Sequence, residues 1–272
     1  MKKFFASLVA LFMLAVSSVT FAATEINSEG AIQAEGIAAA DQGQAIGYLG
    51  AHIAALRNLL GIVNGVQIDS DTTMENLYVT NDIIHAKVDG LIKNAMTVKQ
   101  FKDETGSYHE IVELKLFGGA NSIAAVAIPK VEQKPLPAPE IFADKVEKAE
   151  NTTNTTSPEK PVSTVNGTYT GVIVDCRGMG LKTAMAPGIY AENGEVVYGL
   201  EHFSHEFVIN NGYVGYANDF ANASRAGANP LVVKAVSLNG VRPVVSNADA
   251  GKILAENQAS NFLANAKVVF VK

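Results

Sequence analysis

Residues 41–65 read DQGQAIGYLGAHIAALRNLLGIVNG, and the fold of the N-terminal half turns on this stretch. Ile46, Leu49, Ile53, Leu56, Leu60 and Val63 recur at spacings of three and four, which predicts one apolar stripe along a helix of about five turns. Such a stripe is expected to face inward, onto a sheet. Asp41 followed by Gln44 fits a capping box at the helix start. Gly43, Gly47 and Gly50 would allow close packing, and Gly61 and Gly65 bound the C-terminal end.

Working outward, Ile32–Ile37 reads as a strand before this helix and Val66–Ile68 as a short strand after it. A second helix is expected over Asp82–Asn94, with Ile84, Val88, Leu91 and Ala95 on one face. Two strands follow, Met96–Lys102 and His109–Phe117, with Glu104–Ser107 as the hairpin loop. Val112, Leu114 and Leu116 alternate with Glu113 and Lys115, as in a half-buried antiparallel strand. The first domain, residues 26–128, is therefore read as β-α-β-α-β-β.

Residues 129–165 change character. Pro129, Pro135, Pro137, Pro139, Pro158 and Pro161 are six of the nine prolines in the chain, and residues 151–157 read NTTNTTS. This composition predicts an extended or disordered linker, with one short helix over Ile141–Ala149. The second domain is expected over 166–272. Thr168–Cys176 is strongly β-forming. Asn193-Gly194 and Asn239-Gly240 mark two hairpins, the second joining Pro230–Ser237 to Val241–Val245. Asn247–Asn265 reads as a helix capped by Asn247 or Asp249, with Ile253, Leu254, Phe262 and Leu263 inward. Lys267–Val271 is a final apolar strand. The fold class expected is α+β: two small domains, each with helices on a mostly antiparallel sheet, joined by a Pro/Thr-rich linker.

The first 22 residues have the form of a signal peptide. Lys2 and Lys3 precede the apolar run Phe4–Val16, and small residues allow cleavage after Ala22 or Ala23. The run is shorter than the ~20 residues that span a bilayer. No cysteine lies near the cleavage region to accept a lipid. The expectation is a periplasmic or secreted protein with no transmembrane segment after cleavage.

The net charge is −6; losing Lys2 and Lys3 makes it −8. An acidic chain argues against nucleic acid and against electrostatic adhesion to anionic lipid. The chain has one cysteine, Cys176, so no internal disulfide can form.

Several motifs carry a resemblance. They are Glu35-Gly-Ile-Ala38, Arg57-Asn-Leu-Leu60, Val66-Gln-Ile-Asp69, Thr72-Thr-Met-Glu-Asn76 and Asp82–Leu91, followed by the hairpin 96–117. In order and spacing, residues 30–128 resemble the small bacterial envelope lipoproteins whose fold is shared with the N-terminal domain of flagellar assembly protein T. Asp175-Cys-Arg-Gly-Met-Gly-Leu181, Ala186-Pro-Gly-Ile-Tyr190, Gly194-x-x-Val-Tyr-Gly199 and Ser246-Asn-Ala-Asp-Ala250 resemble a domain of unknown function in exported proteins. The resemblance implies envelope or surface-appendage association and no catalytic residues. The missing lipidation cysteine departs from the lipoprotein pattern.

Two clusters are candidate sites. Asp175 and Arg177 end a strand and enter Gly178-Met-Gly180, where exposed amides and a guanidinium could hold an anion. The bland alternative is a tight turn with Asp175 paired to Arg177. His202 and His205, flanked by Glu201 and Glu206, could ligate a metal, but two rings three apart diverge on a strand. No catalytic residue or cofactor is assigned. The function expected is a non-enzymatic exported module for assembly or interaction with envelope or surface-structure proteins, or with itself. The alternatives are a ligand-binding module at Asp175–Gly180 or a hydrolase using His202, His205 or Cys176.

Overall fold

The computed structural model describes residues 30–142 and 168–272. The signal-peptide reading and residues 143–165 of the expected linker lie outside them. The described chain is α+β, in two structured regions.

In the first region, β1 (Ala31–Ala38), β3 (Tyr108–Lys115) and β2 (Met96–Lys102) form an antiparallel sheet in the order β1-β3-β2. The 96–115 hairpin is as expected. Helix α1 (Gln44–Asn64) crosses one face, but not in the predicted orientation. Its buried positions are Gly47, Ala51, Ala55, Leu59 and Val63. Ile46, Leu49 and Ile53 point outward and are 63%, 58% and 50% exposed.

The cause is Gly36 on β1. A Cβ there would sit 2.1 Å from both the Ala51 carbonyl oxygen and the Ala55 nitrogen. Helix and strand backbones approach so closely that only small side chains fit between them. Gly47 likewise seats the Tyr108 ring, 2.2 Å from where its Cβ would be. The capping box does not form either: the helix is capped by Gly43, with no side-chain bond.

Val66–Ile68 is not a strand. Asp69 accepts from the Asp71 and Thr72 amides at 2.9 and 3.0 Å, closing a turn. Thr73 then caps α2 (Met74–Thr80), accepting from the Asn76 amide. Helix α3 (Asp82–Lys93), capped by Asn81, and α4 (Ile123–Ala127) complete the region.

The second region contradicts the antiparallel expectation. Strands β4 (Gly171–Asp175), β7 (Gly215–Ala217), β8 (Pro230–Lys234) and β11 (Val268–Val271) form a wholly parallel sheet, ordered β7-β11-β4-β8. β11 is buried at every position, as strands covered on both faces are. A smaller sheet is ordered β6-β5-β10-β9. It pairs β5 (Ile189–Ala191) with β6 (Val196–Tyr198) and β9 (Ser237–Asn239) with β10 (Arg242–Val245) as hairpins at the expected Asn-Gly turns. The strand beginning at Pro230 does not run through to Ser237; Pro230–Lys234 belongs to the parallel sheet, and the chain leaves it after Lys234 to enter the smaller sheet at Ser237. Helix α5 spans His205–Asn211. Helix α6 (Asn247–Ser260) buries Ile253 and Leu254 as expected, but its cap is Ser246.

The regions are not tethered independently. The 67–72 turn receives the Met185 and Ala186 amides at 3.0 and 2.7 Å, and Ser70 bonds Asn239 and Val241. One buried apolar cluster runs through both regions. Residues 129–142, the first part of the expected linker, are extended but docked. Lys134 donates to the Glu201 carbonyl at 2.7 Å, and Phe142, in a 3₁₀ turn from Pro139, is buried near Gly251 of α6.

Candidate functional site

Because β4, β7, β8 and β11 are parallel, their carboxyl ends share one edge, where ligands of open parallel sheets characteristically bind. Asp175 ends β4 and is in register with Lys234, the end of β8. The structure thus brings Asp175, Arg177, Gly178 and Gly180 to this edge, with Phe220 from the loop after β7.

The local chemistry is a closed turn. Arg177 grips Asp175 through Nε and Nη2, both at 2.8 Å, and its amide adds a third bond at 3.1 Å. These bonds, with help from Lys234, hold the Asp175 carboxyl below the usual range and raise the Arg177 pKa. The guanidinium lies 4.3 Å over the Phe220 ring. Gly178 and Gly180 have φ of 77° and 72°, which glycine adopts without strain. The bland reading of this motif is thereby realised, yet Arg177 and both glycines stay open to solvent.

Cys176 points the other way and is 1% exposed. Burial, reinforced by Asp175, pushes its thiol up to about 12. At neutral pH only on the order of 10⁻⁵ of it would be thiolate, which disfavours nucleophilic chemistry there.

His202 and His205 are not brought together on a common ligand. His202 Nδ1 faces the Lys134 carbonyl at 3.1 Å, and His205 Nε2 faces the Ile128 carbonyl at 3.0 Å. A nitrogen facing a carbonyl carries the proton, so those atoms offer no lone pair to a metal. Both rings staple the 128–134 segment. Among the described residues no group of three or more His, Cys, Asp and Glu could hold a metal ion.

Three features escaped the sequence reading. The first is a buried polar network under α1. Glu110 is 0% exposed and accepts from Thr97 (2.7 Å) and Gln100 (2.8 Å), with His52 Nδ1 also at 2.8 Å. Burial alone would raise its pKa, but these bonds outweigh it and the pKa is lowered. On the opposite sheet face, His109 bridges Glu35 at 2.7 Å and Asp103 at 3.2 Å and stacks on Phe101. Burial opposes its charge, yet the two carboxylates prevail and its pKa is raised. Polar residues on an alternating strand were the available signal.

The second is a cavity of about 580 Å³ lined by Lys87, Leu91, Asn94, Leu114, Asn121 and Val126. The third is the outward stripe of α1. Helix α1 carries one charged residue, Arg57, and is long and apolar enough by composition to cross a membrane. Its sheet-facing contacts nonetheless make it a packed helix.

Comparison with known proteins is narrow. No curated protein matches the chain. Residues 171–272, the segment that holds the parallel sheet and its carboxyl edge, match a family model described as the second domain of Treponema pallidum Tp0624.

Proposed function

We propose that this chain is an exported, non-enzymatic interaction module of the bacterial envelope that docks through the outward face of α1. The observation that carries the reading is the exposure of Ile46, Leu49 and Ile53 on a helix whose other face is sealed on its sheet. Full burial of each such side chain is worth about 1.5–3 kcal/mol, a strong drive toward a cover. The leader-like first 22 residues and the resemblance of residues 30–128 to small envelope lipoproteins support the envelope setting. Photo-crosslinkers at positions 49 and 53 in intact cells should give discrete adducts, and one at the exposed Asn193 should not. Equal or absent adducts from all three would sink the reading.

A second reading is favoured by the shared carboxyl edge of the parallel sheet: binding of a small anionic envelope metabolite or glycan at Asp175–Gly180. It expects a ligand-dependent rise in melting temperature that Arg177→Ala abolishes. Retention of the shift in that variant would exclude the site.

A further inference from the structure

We infer that the partner of the α1 face is a second copy of this chain, with the two α1 helices packed antiparallel about a two-fold axis near Leu49 and Gly50. The inference rests on the docking reading above and names its occupant.

The stripe is self-complementary. At about 100° per residue, Ile46, Ile53 and Arg57 fall within roughly 40° of arc, with Leu49 and Leu60 flanking them on one side. Positions 46, 49, 53 and 57 are all exposed. The only charge on the helix, Arg57, lies toward its C-terminal end, and Asp41 stands exposed just ahead of its N-terminus. Neither has an ion-pair partner among the described residues.

An antiparallel copy centred between Leu49 and Gly50 sets Ile46 against Ile53 of the other copy, twice. It sets Leu49 against Gly50, which presents no side chain to obstruct it. It also carries each Arg57 to the other copy's turn at Asp41. A two-fold interface needs one surface that complements itself, and this register satisfies both the apolar and the charged positions. Other registers leave Arg57 against aliphatics. Glycine and alanine beneath the stripe hold the helix rigidly on its sheet, so the face is presented ready-formed.

A single helix pair is small for a stable interface, so a dimer of roughly micromolar Kd is expected. The test is sedimentation of the full-length chain, expressed with its own leader and recovered from the cell envelope fraction, over about 1–100 μM. The expected result is concentration-dependent dimerisation that Leu49→Glu abolishes; position 49 is 58% exposed, so folding is not at stake.

Asp41→Arg and Arg57→Asp alone should each weaken the dimer by roughly tenfold, and the double variant should restore it. Leu49→Cys should cross-link to itself with a short bismaleimide, since the native Cys176 is buried. A chain that stays monomeric at about 100 μM overturns the inference, as does a dimer indifferent to the charge swap.

The two levels of the reading fail separately. One outcome is a monomer whose α1 still gives site-specific adducts with another protein. Another is a monomer that binds phosphatidylethanolamine–phosphatidylglycerol vesicles in a way that Leu49→Glu abolishes. Either outcome removes the second copy and keeps the docking face; a monomer with neither removes both.

Discussion

The two sheets solve burial in opposite ways. The parallel sheet of the C-terminal region is dry at its centre: Val172, Val174, Val268 and Phe270 are all 0% exposed. The antiparallel sheet of the N-terminal region buries Glu110 outright and His109 nearly so, each within a set of charged hydrogen bonds. Dry strands gain by area, and they depend little on pH. Polar strands gain only while every donor and acceptor is paired, because an unpaired buried group costs about 1–3 kcal/mol. The first region is thus conditional on protonation, and the second on packing volume.

The sharpest way to break this contrast is Phe270→Ala. Removing a fully buried ring should cost about 3–5 kcal/mol, read as a fall in the urea midpoint. A loss below about 1 kcal/mol would mean that the parallel sheet is not the dry core described.

Gly36→Ala should cost about 3 kcal/mol, at the upper end of overpacking penalties, because the added methyl meets helix backbone and not a movable side chain. Hydrogen exchange should speed up in β1 and α1 before β4 and β11. Uniform acceleration would show that the two regions unfold as one unit.

Glu110→Gln should cost about 1.5–3 kcal/mol, the range for hydrogen bonds to a charged group. Denaturation of the variant at neutral pH checks it, and a variant as stable as wild type would show the network to be ornamental.

The smallest effect is the pH response. His109 has a raised pKa, so its contribution is fully present below about 6.5, its ordinary value, and fades as pH climbs through the folded value. Glu110 and Asp103 have lowered pKa values, so their contributions hold above about 4.3 and 3.9 respectively and fade as pH falls through the folded values. Amide protection factors in β1–β3, taken against the unstructured exchange rate at each pH, should peak near pH 5–6, with no such optimum in β11. A common profile for both sheets would erase the distinction.

Much of this architecture was legible locally. The 96–115 hairpin, the Asn193-Gly194 turn and the inward face of α6 follow from alternation, turn chemistry and helical period, each a property of neighbouring residues. The candidate edge at Asp175–Gly180 was legible as a strand end, but not as the shared edge of four parallel strands. Its neighbours come from distant parts of the chain, Phe220 from a loop and Lys234 from the end of β8. The histidines at 202 and 205 looked like a pair because they are close in sequence, whereas each answers a carbonyl about 70 residues away.

Sequence alone therefore determined the longer helices α1, α3 and α6, the strands of the 96–115 hairpin, the two Asn-Gly turns, the acidic balance and the single thiol. Tertiary structure decided three things: the direction of strand pairing, the docking of 129–142, and which side of α1 faces in. Periodicity locates an apolar stripe without saying what lies opposite it. Here the absent side chain at Gly36 lets the backbones close together, so Gly47, Ala51 and Ala55 go inward and Ile46, Leu49 and Ile53 face out.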